Sequence, residues 1–113
     1  MITEDYVSLE TAKLLKEKGF DGNCHNSYLD GVLFDSSFNK DGFVKAPTLQ
    51  MAMKWLREKE IFVEVTHTLF SLPHKYQYSI FRTEPEFYTT GDNHKSYEEA
   101  CETAIKYCLE NLI

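Results

Sequence analysis

Ala46-Pro47-Thr48-Leu49-Gln50-Met51-Ala52-Met53-Lys54-Trp55-Leu56-Arg57-Glu58-Lys59 reads as one helix and holds the only tryptophan. Pro47 suits a first helical turn, where its missing N–H costs nothing. Leu49, Ala52, Met53 and Leu56 recur at i, i+3, i+4 and i+7, so they form one stripe that needs a core, and Trp55 widens it. Gln50, Lys54, Arg57 and Glu58 lie largely to the other side. The stretch is therefore a half-buried helix with hydrophobic segments before and after it, and those segments decide the fold.

Upstream, Ser8 is a plausible N-cap for Leu9 to Lys18, with Gly19 at the left-handed stop. Asn26-Ser27-Tyr28-Leu29 and Val32-Leu33-Phe34 flank Asp30-Gly31, a type I′ hairpin signal, and Ser36 to Gly42 is a polar, turn-rich loop. Downstream, Ile61, Val63 and Val65 alternate with Phe62, Glu64 and Thr66. Tyr76, Tyr78 and Ile80 alternate with Gln77, Ser79 and Phe81, giving a second hairpin. Pro73 places a loop at Leu72 to Lys75, and Pro85 with Gly91, Asp92 and Asn93 makes Thr83 to Lys95 a long surface segment. Ser96-Tyr97-Glu98-Glu99 is a capping box for a last helix. Its buried stripe is Tyr97, Ala100, Cys101, Ala104, Ile105, Cys108, Leu109 and Leu112, with Glu98, Glu102, Lys106 and Glu110 on the far side. The expected fold is α+β, one domain over 1–113, with three helices and two antiparallel hairpins in the order α-ββ-α-ββ-α around one core. The middle and last helices cover one face of the sheet.

Composition bounds the function. At 113 residues with 42% hydrophobic and 27% charged content, the chain supports one core. No apolar run approaches the roughly 20 residues of a membrane helix, and Met1 to Asp5 is acidic, so no membrane partner and a cytoplasmic location are expected. Three cysteines without a CxxC pair fit a reducing compartment. The net charge of −6 divides into about −3 over 1–45, +2 over 46–82 and −5 over 83–113. Duplex binders carry a strong basic excess, so nucleic acid is expected to bind weakly or not at all. Any such contact would fall on Lys54 and Arg57.

Ala12 to Lys18 matches Met53 to Lys59 at a constant offset of 41. Two amphipathic helices with Lys/Glu surfaces arrive at such a string by chance, and it carries no function. Three blocks together, Leu9 to Phe20, Ala46 to Glu58, and Tyr97 to Ala100 with Lys106 to Leu109, resemble small uncharacterised proteins of gut anaerobes and their prophages or mobile elements. The resemblance implies a mobile-element accessory protein and supplies no catalytic residue.

Chemistry-bearing clusters are sparse. No glycine-rich phosphate loop or GxSxG elbow occurs, and no cofactor is expected. In a strand, Cys24 and His25 point to opposite faces, which predicts a buried thiol beside an exposed imidazole. His67 and His74 bracket the second hairpin's connection, which makes a small enzyme or a metal-binding protein the alternative function, with two ligands missing. His94 reads as surface. The paired carboxylates Glu84 with Glu86 and Glu98 with Glu99 reduce to solvation and helix capping. Phe62 and Phe81 share the sheet face opposite the core with Glu64 and Gln77, too few aromatics for base stacking and suited to a protein contact. The expected function is a non-enzymatic interaction module, a homodimer with a further protein partner.

Overall fold

The computed structural model describes residues 4–22, 24–35, 42–68 and 76–113. Its elements in chain order are α1 (Leu9–Glu17), β1 (Ser27–Leu29), β2 (Val32–Phe34), β3 (Phe43–Lys45), α2 (Leu49–Glu58), β4 (Ile61–His67), β5 (Tyr76–Thr83), β6 (Glu86–His94) and α3 (Tyr97–Asn111). The α+β class stands, but each expected hairpin has gained a strand. The two sheets are antiparallel and three-stranded, ordered β2-β1-β3 and β4-β5-β6.

The first hairpin turns as its sequence demands. Asp30 and Gly31 both take positive φ, at 52° and 79°, and Ser27 pairs with Phe34 and Leu29 with Val32. Phe43-Val44-Lys45 adds along the other edge of β1. Three residues are too few to show a period, so β3 is invisible to pattern reading. Most of the predicted Ser36 to Gly42 loop, and the Leu72 to Lys75 loop with His74, lie outside the described residues.

Helix α2 begins later than its sequence suggests. Thr48 is the N-cap, its hydroxyl accepting from Met51 N–H at 3.1 Å, and Pro47 therefore sits before the helix rather than in its first turn. Pro47 is fully buried, and its carbonyl accepts from Val7 N–H at 3.0 Å, one rung of a short antiparallel contact that includes Tyr6 opposite Thr48. Leu49, Ala52, Met53 and Leu56 are buried as the stripe requires. Phe20, just past α1, meets Trp55 edge-on at 5.7 Å and ties the first two helices together.

Strand β4 pairs with β5 in the register that period-two alternation predicts, Val63 opposite Ile80 and Val65 opposite Tyr78. Strand β6 corrects the expected surface segment. Pro85 lies in the tight turn rather than breaking a strand, Gly91 pairs with Tyr78, and Asp92 and Asn93 form a bulge opposite Gln77 instead of a loop. Gly91 has a specific reason to be glycine: a Cβ there would stand 2.4 Å from two ring atoms of Tyr78 and 2.6 Å from its hydroxyl. Helix α2 packs on β4, and α3 packs on all three strands of this sheet.

Helix α3 starts with the predicted box. Ser96 Oγ accepts from Glu99 N–H at 3.0 Å, while Glu99 Oε2 takes the N–H of Lys95, one residue earlier than the motif implies. Its supposedly solvated side is half in use, which corrects the sequence reading. Ser8 N–H at 3.1 Å, Thr11 Oγ1 at 2.5 Å and the Ser8 hydroxyl all donate to Glu102 Oε1, and Lys106 pairs with Glu10 at 2.7 Å. Lys18 Nζ donates to the Ile113 carbonyl at 2.8 Å, so α1 runs parallel to α3 along that side. One carboxylate thus caps the start of α1, where free N–H groups favour negative charge. Glu102→Ala is expected to lower stability by about 2 kcal/mol, since hydrogen bonds to a charged acceptor are the stronger kind and Thr11 is fully buried. Urea melts of the two proteins measure it, and a difference below about 0.5 kcal/mol would return Glu102 to mere surface.

The helical repeat at offset 41 extends to the stops. Lys18 and Lys59 are the C-caps, followed by Gly19 at φ 90° and Glu60 at φ 61°. The sheets that follow are wired differently, so the likeness ends with the helices.

Candidate functional site

The open face of the β4-β5-β6 sheet carries the most organised surface. Phe62 pairs with Phe81, and Phe81 pairs with Tyr88, so three aromatic rings form a row with one from each strand. Phe62 and Phe81 stack at 5.0 Å with planes 20° apart. Tyr88 is 67% exposed. Phe62 and Phe81, with Glu64 and Gln77, lie on this face as their alternation predicts, whereas Tyr88 is hidden in the sequence because Pro85 and Gly91-Asp92-Asn93 give β6 the local chemistry of a loop. Neighbouring positions are Ser79, Thr83 and Thr90 with the acids Glu64 and Glu86, and Asp92 stands at the bulge. Strand alternation puts no Lys or Arg on this face among the described residues, while Arg82 lines a hollow at its edge together with Phe81, Glu86 and Tyr88. The molecule is 20 Å through its shortest axis, the depth of a sheet and one helix layer, and both helices of that layer lie on the other face.

A second surface is a groove of about 360 Å³ between the chain leading into β1, the exposed side of α2 and the segment around Tyr6. Lys54 and Arg57, singled out from sequence as cations, are exposed and share its wall with His25, Asn26 and Met51. Neither cation is in an ion pair among the described residues. Asn26 is only 6% exposed, and its Oδ1 has no hydrogen-bond partner. The Asn26 backbone is engaged through its carbonyl, which accepts from Ala46 N–H at 2.9 Å. Cys24 is buried beside exposed His25 as expected, but the two precede β1 rather than lying in a strand, and both line this groove instead of facing opposite ways. Burial pushes the Cys24 thiol up against the opposing pull of the Lys45 ammonium.

The approach of His67 to His74 lies outside the described residues, and it is His94 that departs from its sequence reading. His67 meets Tyr76 edge-on at 5.2 Å, and Tyr76 pairs with His94 on the next strand. His94 is not surface: it ends β6 at 9% exposure, 5.4 Å from the Tyr78 ring, with Nδ1 unpartnered. Tyr76 on the middle strand stands between His67 and His94, which are two strand spacings of nearly 5 Å apart. Among the described residues no three His, Cys, Asp or Glu side chains are grouped to hold a metal. No helix among them is long and apolar enough to cross a membrane.

The two surfaces therefore define an α+β domain with one aromatic sheet face that no helix among the described residues covers and one basic groove. No family model, curated protein or solved structure matches the chain.

Proposed function

We propose that the protein is an interaction module whose working surface is the open face of the β4-β5-β6 sheet, and that its partner presents a basic extended segment. The row Phe62, Phe81 and Tyr88 carries this reading, because rigid rings in register offer apolar area at little cost in side-chain entropy. Glu64, Glu86 and Asp92 around them select the occupant. Acids steer a cationic chain toward the face, and the ring faces attract Arg or Lys by a further 0.5–2 kcal/mol, roughly, per contact. The same acids oppose a second copy, since a two-fold axis would set them against one another, and they oppose the phosphates of a single strand that would otherwise stack on the rings.

The test is fluorescence anisotropy with two labelled octapeptides, one alternating Arg and Ser and one alternating Glu and Ser. The basic peptide is expected to bind at 50 mM salt and to weaken at least tenfold with Tyr88→Ala or Phe81→Ser, and the acidic one not at all. Unchanged binding by both variants would place the contact elsewhere. A dimer in sedimentation that Tyr88→Ala dissolves would make the second copy the occupant instead.

A further inference from the structure

We propose that the groove between Asn26 and α2 binds a small organic anion that also carries a hydroxyl or amino group. Three observations converge on it, and none belongs to the sheet face. The volume, about 360 Å³, is at the small end of the range for small-molecule sites, and Tyr6, Met51 and Ala46 give it an apolar floor. Its charge opposes that of the chain as a whole. In a protein of net charge −6, Lys54 and Arg57 stand one helical turn apart, His25 joins them, and among the described residues the two cations have no acidic partner and Glu4 is the single carboxylate on the wall.

Asn26 specifies the rest of the ligand. A buried amide oxygen without a donor is costly to keep, and the ordinary remedy in a fold is to replace it with an apolar side chain of the same shape. Asn26 lines the groove with Oδ1 turned away from solvent, and a half-turn of its amide brings Oδ1 to a ligand O–H or N–H while the ligand's phosphate or carboxylate meets Lys54 and Arg57, which uses both features at once. An uncharged polyol satisfies only the amide, and inorganic phosphate only the cations. The chemistry shared by hydroxy acids, amino acids and sugar phosphates is what the groove fits.

Cys24 supplies the readout, because it lines the groove at 9% exposure while Cys101 and Cys108 are fully buried. The rate of its alkylation by iodoacetamide at pH 8 is measured with 3-phosphoglycerate, inorganic phosphate or glycerol at 5 mM. Slowing of at least fivefold by 3-phosphoglycerate is expected, less by phosphate and none by glycerol. Lys54→Gln with Arg57→Gln, both on the surface, is expected to abolish the protection. Asn26→Leu is expected to weaken it at least tenfold while leaving the melting temperature unchanged or raised, an outcome a merely structural asparagine would not give. No slowing by 3-phosphoglycerate, or slowing that survives removal of both cations, overturns the proposal. So does a single-stranded oligonucleotide that protects Cys24 better than 3-phosphoglycerate at equal phosphate, which would make the groove part of an extended phosphate track.

Discussion

Gly91→Val is expected to lower the unfolding free energy by about 3 kcal/mol, the upper range for forcing extra atoms into a packed site. Strand propensity alone predicts the opposite, because valine is among the best strand formers and glycine among the worst. Packing decides the sign. The Tyr78 ring lies directly over the Gly91 backbone, within 2.4 Å of where a Cβ would be. The ring cannot swing aside freely, since Tyr78 is 8% exposed and sits against His94 at 5.4 Å. A double-mutant cycle isolates the contact: in a Tyr78→Ala background the same Gly91→Val change should cost less than about 1 kcal/mol. Equal costs in both backgrounds would show that the glycine serves the bulge and not the ring.

The second large effect is alkaline. Burial pushes the thiol of Cys101 up to about 11 and that of Cys108 up to about 12, from an ordinary 9.0. Below pH 9 both states hold these protons and stability is indifferent to them. Above it the unfolded chain releases protons that the native state keeps, so stability falls as pH rises, by about 1.4 kcal/mol per pH unit for each thiol, until the folded values are reached. Between pH 9 and 11 the two together amount to about 5 kcal/mol, comparable with the whole stability of a small domain. Desolvation raises Tyr28 and Tyr78 as well, which steepens the fall above pH 10. Urea melts under reducing agent at half-unit steps from pH 8.5 should show this slope. It should be shallower by about 1.4 kcal/mol per pH unit for each of Cys101→Ala and Cys108→Ala, and identical slopes in wild type and variants would refute the linkage.

Much of this fold was legible where one periodic signal met one physical demand. The capping box and unbroken stripe of α3 gave its limits to within a residue, and alternation alone put Phe62 and Phe81 on the open face and Val63 and Ile80 beneath it. What escaped had conflicting local chemistry. Phe87 and Thr89 alternate with Tyr88 and Thr90 as a strand should, but Pro85 on one side and Gly91-Asp92-Asn93 on the other read as turns, and the loss of β6 took Tyr88 from the candidate face and hid the burial of His94. Glu102 and Asn26 were illegible for a different reason. A helix pattern says which side faces the largest core, not whether a second helix docks opposite. A lone asparagine before a three-residue strand has no period at all. Lys54 and Arg57 were correctly seen as exposed, while the groove they share with Asn26 is a product of chain segments about 20 to 30 residues apart and belongs to tertiary structure.

The parallel seam between α1 and α3 also sets a schedule for the nascent chain. Ser8 and Thr11 wait for Glu102, and Lys18 waits for Ile113, contacts that close loops of 91 to 95 residues. Closing so long a loop must precede any reward from the contact, which slows folding relative to a bundle of local helix pairs. During synthesis α1 emerges with only its local Ser8 cap until residue 102 has cleared the ribosome, while the apolar underside of the β4-β5-β6 sheet lacks α3 for the same interval. The molecule thus completes itself from its carboxyl side, with one helix closing the sheet and the first helix together.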